Sequence, residues 1–143
     1  MAHFAEIDEN NKVIRVLVGC NNDVAANGGE QSEEAANHFA RVVGHSFNGV
    51  KYIQTSYNNN FRQRFAGAGM IYDSTNNVFV EEQPFASWTL DVNYEWQPPV
   101  ARPLETDTIK NTSWDEENQR WLASDVNGTS YYWNPNTLEF VSI

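Results

Sequence analysis

Three histidines, one cysteine and nineteen carboxylates are the side chains of this 143-residue chain that could carry acid–base, nucleophilic or metal chemistry. Their spacing assembles none of it. His38 and His45 stand seven apart and would share a helical face only if a helix ran through Gly44, which is expected to end it first. With His3 far away in sequence, surface or capping roles are expected for all three. Carboxylates gather at Glu30, Glu33 and Glu34, at Glu81 and Glu82, and at Asp115, Glu116 and Glu117. Glycoside hydrolysis needs two carboxyls held at a set separation across a cleft, which neighbours on one turn do not supply. Asp8-Glu9-Asn10 has the acidity of a calcium loop but neither its glycine nor its distal glutamate. The expectation is therefore no catalytic residue, no metal site and no cofactor, with the acids forming solvated turn faces.

Cys20, the only cysteine, permits no internal disulfide and is expected to be a buried structural thiol. Arg62 and Arg64, with Lys51 before them, are the one local basic feature of the central stretch. They could grip a carboxylate or phosphate of a partner; pairing with the chain's own surplus acids is the expected state. Gly67-Ala68-Gly69 lacks the Lys and Ser/Thr of a phosphate loop and reads as a backbone joint. The aromatic residues near the C-terminus are the strongest candidates for an interaction surface. If exposed, Trp114, Trp121, Tyr131, Tyr132 and Trp133 could stack on sugar rings or fill a protein partner's pocket; if buried, they are the core of their own hairpins.

The elements that must position these residues announce themselves by a repeat. Ile7-Asp8 to Ile14, Tyr72-Asp73 to Phe79, Trp114-Asp115 to Trp121 and Trp133-Asn134 to Phe140 each place Asp or Asn directly after an apolar residue, with a second apolar residue seven positions beyond the first. The Asx side chain can bond the turn backbone, and the two apolar residues can then face each other across an antiparallel pair. Each copy predicts a β-hairpin. Leu90-Asp91 to Trp96 is a fifth copy, one residue shorter, which calls for an odd loop or a bulge.

Residues 12–20, KVIRVLVGC, carry apolar side chains on both faces and predict a central strand. Residues 21–31 read as a loop. Ser32, the following acids and the spacing of Ala35, Ala36, Phe39, Ala40 and Val43 predict one short helix over 33–43. Residues 50–57 and 70–73 predict strands, with 61–65 irregular between them. Three prolines within 98–103 predict a connector. The expected fold is α+β, mainly antiparallel β: a compact body over 1–97, a Pro-rich connector over 98–108 and a pair of C-terminal β-hairpins over 109–143. A formal net charge of −10 repels nucleic-acid phosphates and anionic lipid. No apolar run is long enough for a membrane span, and the opening MAHFAEIDENN has no signal-peptide core, so residence in a cytoplasm is expected unless a particle carries the protein out.

Three strings are more specific than composition. MAHFAEIDENNKVIRVLV, YIQTSYNNNFRQRFAGAGMIYD, and PFASWTLD with EWQPPV resemble the small acidic proteins encoded by marine cyanophages and related tailed phages, as does the final YYWNPNTLEFVSI. Two departures stand out: residues 104–127 read as an inserted hairpin, and Arg64-Phe65 stands where that group usually has other residues. The group has no established catalytic residues to carry over. The resemblance implies a phage setting: a non-enzymatic virion structural protein made in the host cytoplasm, either a capsid-surface decoration of knob type or a tail or tail-fibre accessory. Its partners would be a capsid or tail protein, with self-association possible. A carbohydrate-binding module using the exposed Trp and Tyr residues against a host glycan is the alternative from a different class.

Overall fold

The computed structural model describes residues 1–44 and 50–143, so His45 lies outside the described residues. The fold is α+β and mainly antiparallel β. The chain divides into two compact units, Met1–Glu82 and Gln83–Ile143. The division falls before the Pro-rich stretch rather than within it, because residues 83–103 pack with the strands that follow them.

The first unit is built on β1 (Ala2–Ile7), which lies between β2 (Val13–Gly19) and β3 (Lys51–Thr55) in an antiparallel sheet. Side chains alternate across β1. Phe4 enters the layer formed by α1 (Asn21–Ala26) and α2 (Glu33–Val43), where it stacks on Phe39 at 4.4 Å and joins Tyr52, Val24 and Ala35. Ala5 and Ile7 enter the opposite layer with Val13, Ala66, Tyr72 and Phe79. Gly19 permits the close approach on the helical side, since a Cβ there would stand 3.0 Å from the Phe4 ring and 3.2 Å from Phe39. In α2 the Ser32 hydroxyl accepts from Ala35 N at 3.1 Å, and Gly44 closes the helix at φ 73°.

Three expectations are corrected here. Residues 21–26, read as loop, form the additional short helix α1. β2 is an edge strand, with Ile14 46% and Val18 57% exposed. Its two-sided apolarity reports layers above and below the sheet, Leu17 packing on the helical cluster and Val16 on the other, not strands on either side. Cys20 is exposed, because it follows the last residue of β2 and precedes α1 beyond the sheet.

The remaining pairs are β4 (Ile71–Asp73) with β5 (Val78–Val80), β6 (Thr89–Leu90) with β7 (Trp96–Gln97), and a four-stranded meander. The meander comprises β8 (Ile109–Asp115), β9 (Arg120–Asp125), β10 (Ser130–Asn134) and β11 (Glu139–Ser142) in sheet order β11-β10-β9-β8. The eight-residue template pairs Tyr72 with Phe79, Trp114 with Trp121 and Trp133 with Phe140, as its spacing predicts. In the first copy Ile7 pairs with Val13 rather than Ile14, and the shift is absorbed between Glu6 and Ile7.

These turns fall into two kinds. Asp73, Asp115 and Asn134 each have their left-handed residue four positions on, at Asn77 (φ 55°), Gln119 (φ 47°) and Leu138 (φ 57°), and their flanking residues pair seven apart. Asp8, Asp91 and Asp125 have it three positions on, at Asn11 (φ 63°), Tyr94 (φ 58°) and Gly128 (φ 81°), and the flanking residues pair six apart. In the shorter kind one carboxylate oxygen accepts from the backbone N–H groups two and four residues on: Asn10 and Lys12, Asn93 and Glu95, or Asn127 and Thr129. The Asp125 turn joins β9 to β10 and makes a further hairpin that the apolar template does not detect, because Ser124 and Ser130 flank it.

Candidate functional site

In the first unit, Arg62 is a clamp inside its own fold. Its backbone is left-handed (φ 54°), and its guanidinium donates to Asn77 Oδ1 at 2.8 Å, Gln54 O at 2.7 Å and Gln31 O at 3.4 Å. Its carbonyl accepts from Phe79 N at 3.1 Å and Arg64 N at 2.8 Å. The expected pairing with acids is therefore replaced at Arg62 by neutral acceptors, mostly backbone carbonyls of segments that have no strand to satisfy them. Arg64 is half-buried beside it. Glu6, the one buried carboxylate among the described residues of this unit, accepts from Arg15 Nε at 2.6 Å and from Tyr52 OH at 3.3 Å. Burial, reinforced by the Glu6 charge, raises the Tyr52 phenol above its ordinary pKa.

In the second unit, the register of the meander sorts the five aromatic candidates by face. Trp114, Trp121, Tyr131 and Trp133 share one face with Ala123 and Phe140, while Tyr132 stands on the other with Leu122 and Val141. Trp114 and Trp121 are 8% and 5% exposed, so they are not free to meet a partner. Both pack against Trp88, each at 6.1 Å between ring centroids. Trp121 Nε1 donates to Val100 O at 2.8 Å, and the Arg102 guanidinium lies 5.5 Å from the Trp121 ring centroid. The Pro-rich segment expected to be a connector covers the sheet, with Pro103 buried.

Glu116 and Asp125 of this unit are structural rather than merely solvated. Glu116 accepts from Ser87 Oγ at 2.6 Å, Ser87 N at 2.9 Å and Trp114 Nε1 at 2.7 Å, which ties the 83–88 segment to the meander. Those bonds, the Ser87 side chain foremost, hold its carboxyl below the usual range. Asp125 is likewise lowered, first by the Thr129 backbone, and its second oxygen accepts from Tyr131 OH at 3.1 Å. Tyr131 is thereby fixed by its own turn, and Tyr132 lies beneath Arg120 at 5.0 Å.

Trp133 has a different setting. It pairs edge-to-face with Phe140 at 5.0 Å, and the two rings line a groove of about 830 Å³ with Ile109, Pro103, Leu104 and Leu138. Leu104 and Leu138 are 89% and 70% exposed. Arg102, Thr106 and Glu139 supply the groove's polar groups. Of the sequence candidates only Trp133 lines this groove; Phe140 was marked by the repeat as its cross-strand mate, whereas Leu104 and Leu138 carried no signal beyond being apolar in turns. Among the described residues no group of three or more His, Cys, Asp and Glu is placed to hold a metal ion, and no helix is long and apolar enough to cross a membrane. No family model, curated protein or solved structure matches the chain.

Proposed function

We propose that this chain is a structural protein of a tailed-phage particle, a surface decoration whose second unit carries the docking site. The phage setting rests on the resemblance of the three sequence strings. The observation that carries the docking role is the Trp133–Phe140 groove: an apolar recess rimmed by exposed Leu104 and Leu138 on a sheet otherwise closed over its tryptophans. Such a recess suits an aromatic or aliphatic anchor from a capsid or tail protein. The acidic charge keeps the remaining surface soluble. Quantitative mass spectrometry of gradient-purified particles tests the assignment. Several hundred copies per particle would indicate the capsid surface, a few dozen or fewer the tail, and absence would sink the virion reading.

One observation favours a second reading. Arg102 and Thr106 line the groove beside the Trp133 and Phe140 rings, and polar groups next to aromatic faces are the combination that recognises a sugar. Host glycan would then shift the tryptophan fluorescence, and Trp133→Ala would abolish that shift. A response that survives Trp133→Ala counts against this reading.

A further inference from the structure

The free edge of β2 has a pattern of backbone donors and acceptors that the rest of its sheet dictates. Arg62 bonds Gln54 O at 2.7 Å on the side of β3 away from β1. Successive residues of an antiparallel strand turn their N–H and C=O groups to alternate sides. Gln54 is paired with Phe4, so the Phe4 groups face the other way, toward Leu17 of β2. Leu17 thus faces inward, and Val16 and Val18 face outward. The register shift between Glu6 and Ile7 restores an outward orientation at Val13, whose N–H bonds Met70 O at 2.8 Å and whose carbonyl accepts from Gly69 N at 2.9 Å. That segment closes the edge at Val13. Beyond it, no strand among the described residues covers Val16 or Val18.

An antiparallel strand centred on Leu17 engages both groups of Val16 and both of Val18. Val16 then lies opposite Val18, Val18 opposite Val16, and Leu17 opposite Leu17. That arrangement is its own mate under a two-fold axis, so a second copy of β2 presents the same groups in the required order. The side chains agree. Val18 is 57% exposed, and on the helical side the recess between the end of β2 and α2 is walled by Val42, 64% exposed. Charge agrees as well: Arg15 is held by Glu6 at 2.6 Å, so residues 14–18 form a neutral strip on a chain of net charge −10. The antiparallel direction also sets the Lys12 end of one strand against the end from which α1 and Asp23 depart in the other.

We propose that two copies of this chain join along β2, antiparallel about Leu17, to make one continuous sheet from their two three-stranded halves. Sedimentation equilibrium of the full chain at tens of micromolar tests this. The wild type is expected to dimerise reversibly, and Val18→Pro, which removes an outward N–H and leaves the ladder to β1 in place, is expected to be monomeric with unchanged circular dichroism. The register has its own test. Leu17→Cys in a Cys20→Ser background should oxidise to a covalent dimer, because non-hydrogen-bonded partners approach within disulfide reach, whereas Ile14→Cys in the same background should not. A monomeric wild type, a dimer that survives Val18→Pro, or a dimer that Leu17→Cys does not cross-link would each overturn the proposal.

Discussion

Trp114 and Trp121 face each other across β8 and β9, with ring centroids 5.3 Å apart and planes at 68°. Trp88 completes the cluster from a segment outside the meander, and Val100 accepts the Trp121 indole N–H. Three rings and one covering strap therefore make the core of the second unit. Trp121→Ala should destabilise this unit by about 3–5 kcal/mol, and Trp121→Phe by less, since it retains a ring while losing the hydrogen bond. Thermal unfolding followed by tryptophan fluorescence checks both. Loss below about 1 kcal/mol for Trp121→Ala would mean that the strap does not bury the ring.

Removal of the Arg62 clamp has a signature that separates it from a salt bridge. Its three mapped acceptors are neutral, so Arg62→Met should cost about 1.5–3 kcal/mol by an amount that changes little between low and high salt. Denaturant melts of both proteins at two ionic strengths provide the comparison. A cost that vanishes in high salt would point to pairing with acids instead.

Backbone conformation makes opposite predictions at two turn positions. Leu138 is left-handed at φ 57° and 70% exposed, so Leu138→Gly relieves strain and should stabilise by about 0.5–1 kcal/mol. Gly128 is left-handed at φ 81°, and a Cβ there would meet no atom within 4 Å, so Gly128→Ala should destabilise by about 1 kcal/mol through the backbone alone. Differential scanning calorimetry should move the two transitions in opposite directions.

Acid should weaken the second unit. Asp115, Glu116 and Asp125 are all held below their ordinary pKa by hydrogen bonds: from Asn118 and Arg120, from Ser87 and Trp114, and from the Thr129 and Asn127 backbone with Tyr131. A depressed folded-state pKa means that the unfolded chain binds protons first as pH falls. The stabilisation is therefore fully present above the ordinary carboxylate range, near pH 4, and is lost as pH falls through the lower folded values. Melting temperature against pH should be flat on this account near neutrality and drop below about pH 4. Glu116→Gln should shallow that drop; an equally steep profile would remove Glu116 from the explanation.

Hairpin registers are the most legible part of the fold, because an Asx residue and two apolar flanks at fixed separation specify the turn in every copy and the pairing in all but the first, where Ile7 meets Val13. The Asp125 turn carries no such signal because its flanks are serines, and the apolar residues on both faces of β2 do not reveal which of its neighbours are strands. The candidate site was legible only in part. Spacing marked Trp133 and Phe140 as a pair but gave no means of knowing that Trp114 and Trp121 would be covered, since the cover comes from Trp88 and Val100, remote in sequence. Arg62 is conspicuous as a charge, while its task, satisfying the Gln54 carbonyl on β3 and the Gln31 carbonyl of the loop before α2, depends on tertiary placement.

The two kinds of Asx turn bear on how such a chain can change length. Insertion or deletion of a single turn residue converts one kind into the other, because the left-handed residue moves by one position and the Asx cap remains. A meander whose neighbours are joined only by these turns can then accept or shed a whole hairpin by tandem duplication without threading a new connection through its core. On this geometry indels should be tolerated at the corners, and variation should accumulate as added or missing strand pairs rather than as long loops.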